Sequence, residues 1–114
     1  MAKSIEDVKS IILSNLKFGR DNAISRVTLV QLTGANDRTN RKAIESLISD
    51  DLVPVCSYSS GKGYFIAATV EEAQHTLNER HKRAMKHLVS EYAFKKFIHE
   101  QRQEVFEWKQ NLKS

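Results

Sequence analysis

The sequence holds few of the residues that mark secreted or membrane-bound proteins. A single cysteine, Cys56, occurs in 114 residues, so no intramolecular disulfide can form, and this usage suits a reducing cytoplasm. No apolar run is long enough to span a bilayer, and Glu6 and Asp7 place charges where a secretory signal avoids them. We therefore expect a cytoplasmic protein that neither crosses nor enters a membrane.

Proline and glycine are also scarce, and their absence defines the C-terminal part of the chain. The chain has one proline and four glycines, and none of them lies between residues 70 and 112. Because these residues commonly end helices, the stretch is predicted to form one long helix or two helices with a slight break. We accordingly expect a domain with one modest core over residues 1–68, followed by a helical segment over residues 69–114.

No set of side chains has the spacing that catalysis or metal binding requires. His75, His81 and His87 follow one another at intervals of six residues, which turns successive rings by about 240° on a helix. The three cannot meet one ion, so exposed helical histidines are favoured over zinc ligands. No serine, histidine and acid group has a motif for nucleophilic catalysis, and residues 61–63 lack the full phosphate-loop pattern. We expect no enzymatic activity, no cofactor and no metal.

The most informative stretch predicts two short helices hinged by a glycine over residues 25–48. Gly34 follows the apolar residues Leu29 and Leu32, at a point where a helix end needs a residue that accepts positive φ. Either of the next polar residues, at positions 36 and 37, provides an N-cap for the following helix. This layout is that of a helix-turn-helix, whose second helix enters the major groove of DNA.

A predicted β-hairpin follows these helices. Two β-rich runs, over residues 53–58 and 64–67, are separated by a short turn that holds Lys62 between two glycines. A first helix capped by Ser4 precedes the two hinged helices, and residues 23–25 are placed to add a short third strand. The predicted fold is therefore mainly α with a small β-hairpin (α+β), a winged helix-turn-helix followed by a long C-terminal helix.

A further pattern in this region is formed by Asn36, Asp37, Arg38, Arg41, Ile44, Leu47, Asp51, Pro54 and residues 63–67. Through these residues the chain, over about residues 5 to 90, resembles small winged helix-turn-helix proteins that bacteriophages and prophages encode as replication or regulatory factors. Two positions depart from the group: Asn40 stands where an aliphatic residue usually faces the core, and Leu52 where a glycine commonly precedes the strand. The resemblance implies a DNA-binding regulator of transcription or replication, located in the cytoplasm of the host cell.

The third predicted helix turns a polar and basic face away from its apolar residues Ile44, Leu47 and Ile48. On that face Arg38 and Lys42 are the candidates for contacts with base edges or nearby phosphates. The other candidate DNA contacts are Arg26, Thr28, Thr39, Arg41, Ser46, Ser60 and Lys62. With the formal net charge of +4, this face predicts double-stranded DNA as the partner, and the alternative is an ordinary solvated helix face.

The C-terminal segment carries most of the aromatic residues. Five of the nine aromatics lie beyond residue 90, too far along the chain for one small core to bury them. The residues predicted to join two copies of the chain are Tyr92, Phe94, Phe97, Ile98, Val105 and Trp108. We expect a homodimer, and the alternative is a helix that folds back over the domain.

A second function fits the same features. The winged helix would then serve only as a scaffold, and the aromatic helix would dock a replication or host protein, since a fold alone does not determine a function. The basic residues within 80–87 would flank DNA in the first hypothesis and form a solvated face in the second. Salt dependence separates the two hypotheses, because DNA contacts make affinity fall steeply with ionic strength.

Overall fold

The computed structural model describes residues 4–61 and 63–113, with side chains as far as residue 104. In this part of the chain the elements are α1 (Ile5–Asn15), a 3-10 turn (Arg20–Asn22), α2 (Arg26–Thr33), α3 (Asp37–Ser49), β1 (Val55–Cys56), β2 (Phe65–Ile66) and α4 (Val70–Lys113). The described chain is therefore mainly helical with a small antiparallel sheet, which confirms the predicted α+β class.

The first three helices begin at side-chain caps. The side-chain oxygens of Ser4, Ser25 and Asn36 each accept a hydrogen bond from the backbone N–H three residues later, at 3.2, 3.1 and 2.8 Å. Such a bond satisfies one of the backbone donors that the first turn of a helix leaves without a partner. The predicted cap of α1 is confirmed, and Asn36 is the cap that α3 uses.

The hinge between α2 and α3 is a left-handed residue, as the sequence predicts. Gly34 has φ 71° and ψ 3°, and its N–H donates to the carbonyl of Val30 at 2.9 Å. A side chain at this position would meet the steric cost of the left-handed region, which glycine avoids. The turn brings the end of α2 within four residues of the start of α3.

One face of α3 forms the centre of the hydrophobic core. Ala43, Ile44 and Leu47 are each at most 3% exposed, and the partly buried Ile48 packs beside them. The remaining residues of this core are Val8, Ile12, Leu16, Leu29 and Val55, from α1, its C-cap, α2 and β1. Burial of this face fixes which side of α3 points to solvent.

A buried polar pair joins α2 to α3 where the resembling group has an aliphatic residue. Asn40 is 1% exposed, and the Thr33 hydroxyl donates to its Oδ1 at 2.9 Å. The Thr33 oxygen in turn accepts the N–H of Ala35 at 3.1 Å. Within the described residues the Asn40 Nδ2 has no hydrogen-bond partner, a cost that an aliphatic side chain would not carry.

The sheet is shorter than the sequence pattern predicts. β1 and β2 pair antiparallel, with Val55 opposite Ile66 and Cys56 opposite Phe65. The predicted strand over residues 23–25 is reduced to one antiparallel bridge between Ile24 and Tyr64, whose two backbone hydrogen bonds measure 2.8 and 2.9 Å. The strand ends there because the next residue, at position 25, already caps α2.

Gly63 makes that bridge sterically feasible. It has φ 147°, and a Cβ built on it would lie 1.9 Å from the carbonyl oxygen of Ile24. Real Cβ atoms do not approach another atom so closely, so only glycine lets the two backbones pair at this point.

The described residues fall into two compact units that meet between Glu79 and Arg80. The sequence-based boundary lies earlier, between residues 68 and 69, close to the start of α4. The first ten residues of α4 belong to the first unit, in which Thr76 is 9% exposed. Among the described residues, no helix combines the length and apolar composition that crossing a membrane requires.

Leu52 adopts a backbone conformation that favours glycine. Its φ is 57°, and it is the one non-glycine residue with positive φ in the described part of the chain. Its side chain is 82% exposed, so little packing offsets the steric cost, which is about 1–2 kcal/mol for an L-residue in this region.

We therefore predict that Leu52→Gly raises the free energy of unfolding by about 1 kcal/mol. Leu52→Ala is the matched control, because alanine keeps the Cβ and so keeps the strain while it also loses the leucine side chain. Urea denaturation of the three proteins measures the difference. Equal stability of the Gly and Ala variants would show that the backbone is not strained at this position.

The start of α4 is held against the 3-10 turn by one carboxylate. Glu72 accepts the backbone N–H of Arg20 at 2.8 Å through Oε2 and that of Ala68 at 2.9 Å through Oε1. The hydrogen bond from Arg20 is the main cause that lowers the pKa of Glu72, followed by the bond from Ala68. A carboxyl group whose pKa is lower in the folded state stabilises the fold above its unfolded pKa, which is about 4.3 for glutamate.

We predict that Glu72→Gln is less stable than the native protein at pH 7. The difference should shrink as the pH falls through the folded-state pKa of Glu72, because protonation then removes the same charge from the native protein. Thermal melts from pH 7 to about pH 3 measure it, with the pH range chosen to bracket ordinary carboxyl pKa values. Glu71→Gln is the control, because Glu71 is an exposed glutamate in the same helical turn. A similar loss of stability in both variants would contradict the stabilising role of the Glu72 hydrogen bonds.

Candidate nucleic-acid interface

The exposed side of α3 carries the charged residues of the candidate interface. Because Ala43, Ile44 and Leu47 face the core, the opposite side presents four charged side chains. These are Arg38, Arg41, Lys42 and Glu45, which together line a shallow surface depression. The structure thus brings together three of the predicted DNA-contacting cations on one face.

Arg38 and Lys42 are the two cations that the structure leaves available on this face. They lie four residues apart, one helical turn, and both are exposed. Neither side chain forms a salt bridge or hydrogen bond with another described residue. Their charged groups therefore have no internal partner to give up before they contact an acidic ligand.

Arg26 and Arg41, by contrast, share a carboxylate. Arg26 binds Asp37 through both oxygens, with Nε 3.0 Å from Oδ1 and Nη2 2.6 Å from Oδ2. The Nε of Arg41 lies 3.2 Å from the same Oδ2. The Arg26 guanidinium is the main cause that lowers the pKa of Asp37, and burial opposes it. Asp37 stays ionised at neutral pH, and two cations face one anion.

Three of the hydroxyl residues predicted to contact DNA lie near the ends of α2 and α3. The Thr28 oxygen accepts a hydrogen bond from the Ser25 hydroxyl at 2.8 Å, while its side chain stays exposed. The Ser46 hydroxyl donates to Asp50 at 2.8 Å, so its proton is already used at the C-terminal end of α3. Thr39 is partly buried in the first turn of α3. The structure places Thr39 and Ser46 on α3 and Thr28 on α2.

The hairpin turn is attached to α4 through Glu79. The backbone N–H of Ser59 donates to Glu79 at 3.0 Å, and His75 Nε2 lies 2.6 Å from the same carboxylate. Burial raises the pKa of Glu79, but the hydrogen bonds from Ser59 and His75 outweigh it and leave the pKa below its usual value. Ser60 is exposed beside this anchor, and Lys62 lies outside the described residues.

An aromatic and cationic stack supports the same turn. The Tyr58 ring lies 3.9 Å from the His75 ring, centroid to centroid, and the guanidinium carbon of Arg20 lies 4.6 Å from the Tyr58 centroid. Such contacts contribute on the order of 1 kcal/mol each. Sequence analysis missed this arrangement, although the four-residue spacing of His75 and Glu79 on a helix was available as a signal.

The remaining histidines and the cysteine have no shared site in the structure. His81, His87 and His99 are exposed on α4, whereas Cys56 is buried in β1. Burial is the main cause that raises the pKa of the Cys56 thiol. Within the described residues no group of three His, Cys, Asp or Glu side chains is arranged to hold a metal ion.

The second unit exposes apolar residues among charged ones. Every described side chain from residue 81 to residue 104 is exposed. The four described members of the predicted oligomerisation set are Tyr92, Phe94, Phe97 and Ile98, at 66, 72, 60 and 49% exposure. The side chains of the other two members, Val105 and Trp108, lie outside the described residues.

Comparisons of the chain with protein-family models, curated proteins and solved structures gave no match. The resemblance noted in the sequence therefore stays a prediction.

Proposed function

We propose that residues 1–68 form a winged-helix domain that binds double-stranded DNA in a sequence-specific manner, without a chemical step. The arrangement of Arg38 and Lys42 carries this proposal: two exposed cations one turn apart, on the outward face of the helix that follows the glycine hinge. The order of three helices and a hairpin supports it, since a helix-turn-helix places its second helix in the major groove.

The charge of this surface also supports a polyanionic partner. Arg26, Arg38, Arg41 and Lys42 stand against the acids Asp37 and Glu45, so the surface keeps a net positive charge. In the proposed complex Arg38 and Lys42 contact base edges or nearby phosphates, and Arg26 and Arg41 contact the backbone. Thr28, Thr39, Ser46, Ser60 and Lys62 keep the supporting contacts that the sequence predicts.

The biological role follows from the resemblance alone. A DNA-binding domain of this size, similar to phage and prophage replication or regulatory factors, would regulate transcription or replication in the cytoplasm of the host.

We predict that Arg38→Ala and Lys42→Ala each weaken binding to a preferred duplex, by about 1–3 kcal/mol where a bidentate base contact is lost. Fluorescence anisotropy on a duplex recovered by selection from random sequences measures the effect. Lys17→Ala is the control: it removes one exposed positive charge outside α3 and should cost much less. Unchanged affinity of folded Arg38→Ala, Lys42→Ala and the double variant would reject α3 as the recognition helix.

We further propose that α4 joins two copies of the chain. Phe94, Phe97 and Ile98 lie on one side of α4, and the same side continues in the sequence to residues 105, 108 and 112. An exposed apolar stripe of this kind supports burial against a second copy of the chain.

This assembly gives the fourth prediction. Sedimentation of the full chain should show a dimer, and Phe94→Ser combined with Ile98→Ser should shift it to a monomer, because both polar substitutions fall on the apolar stripe. Val89→Ser is the matched control, an apolar residue at 69% exposure on the opposite side of the helix. A native protein that sediments as a monomer at high concentration would refute the dimer.

A second candidate function is supported by the same exposed stripe on α4. If α4 docks a replication or host protein, Phe94, Phe97 and Ile98, at 72, 60 and 49% exposure, would form the contact. DNA affinity would then be absent or insensitive to Arg38 and Lys42. The anisotropy experiment above decides between the two functions.

A further inference from the structure

Asp37 is not among the predicted DNA contacts, and from the sequence its only predicted role is as an alternative cap of α3. It is the first residue of α3, and its bidentate partner Arg26 is the first residue of α2. The pair therefore ties together the N-terminal ends of the two helices of the proposed helix-turn-helix. The third member, Arg41, follows Asp37 by one helical turn on the outward face.

The network keeps both guanidinium groups available to a further ligand. Arg26 and Arg41 are 58 and 59% exposed, whereas the carboxylate of Asp37 is 31% exposed. A guanidinium carries five N–H donors; Asp37 accepts hydrogen bonds from two donors of Arg26 and forms a salt bridge with the Nε of Arg41. The unused donors of both side chains are thus held in fixed positions by a less accessible anion.

The same anion also weakens the attraction of this surface for any polyanion. One of the two positive charges is compensated at a distance of about 3 Å. Affinity for non-specific DNA depends mainly on net positive charge at the contact, whereas a specific complex depends on side-chain geometry as well.

We propose that Asp37 is a specificity-determining positioning residue. It orients Arg26 and Arg41 toward the DNA backbone and at the same time limits non-specific binding. This inference rests on the proposed DNA-binding function, and it adds a role for an acidic residue within a basic surface.

Removal of the charge should have unequal effects on two kinds of duplex. In Asp37→Asn the surface gains one net positive charge, so a scrambled duplex should bind roughly three to ten times more tightly at low salt, with a salt slope steeper by about one. The selected duplex should gain less, because the released arginines must lose rotamer freedom on binding. The ratio of selected to scrambled affinity should therefore fall.

The test is fluorescence anisotropy of the full chain with a selected and a scrambled duplex across a salt series, and circular dichroism confirms folding. Asp21→Asn is the matched control, since it removes one exposed carboxylate in the 3-10 turn and should leave the ratio unchanged. Asp37→Glu keeps the charge but moves the carboxylate by one methylene group. It should leave scrambled-duplex affinity unchanged and lower the affinity for the selected duplex.

The outcomes separate this inference from the function on which it rests. Asp37→Asn with the same ratio as the native protein, or with the same effects as Asp21→Asn, would overturn the positioning role while DNA binding stands. If Asp37→Asn does not fold, increased affinity of Asp37→Glu for the scrambled duplex would overturn it equally. Absence of duplex binding by the native protein would remove both the function and the inference.

Discussion

Burial of one face of α3 is the constraint on which the rest of the structure depends. Ala43, Ile44 and Leu47 are almost fully buried among residues of α1, α2 and β1. Truncating one such leucine or isoleucine would cost about 2–5 kcal/mol, a large part of the stability of a small domain. The rotation of α3 about its axis is therefore fixed, and with it the side that reaches solvent.

The electrostatics of the candidate interface follow from that rotation. The first turn of α3 carries an acid, which a helix N-terminus favours, and Arg26 binds that acid from the start of α2. As a result, the acid is compensated locally, and Arg38 and Lys42 keep their charges for an external partner. Glu72 and Glu79 are also compensated within the fold, because each carboxylate accepts a hydrogen bond from a backbone N–H in a distant part of the chain.

The sequence predicts the local features of this fold well. The cap at Ser4, the left-handed Gly34 and the hairpin all depend on residues close in sequence, whose conformational preferences act over a few positions. The sequence does not predict the positive φ of Leu52, because leucine disfavours the left-handed region.

Other features depend on contacts that a periodic pattern does not encode. Glu72 binds the N–H of a residue 52 positions earlier, and Glu79 binds one 20 positions earlier. Asn40 is buried through a hydrogen bond with a side chain of the preceding helix, although its polarity alone suggests exposure. The third strand is shorter than predicted because the same stretch also caps a helix. Each case needs the tertiary structure, since the partner lies on another element.

The central claim is that a basic surface around α3 binds the DNA backbone, and the salt dependence of duplex binding by the native protein tests it most directly. Arg26, Arg41 and Lys62 as phosphate contacts predict a slope of about −3 in log affinity against log salt for each protomer. A slope near zero, or no binding to duplex DNA at low salt, would contradict the account.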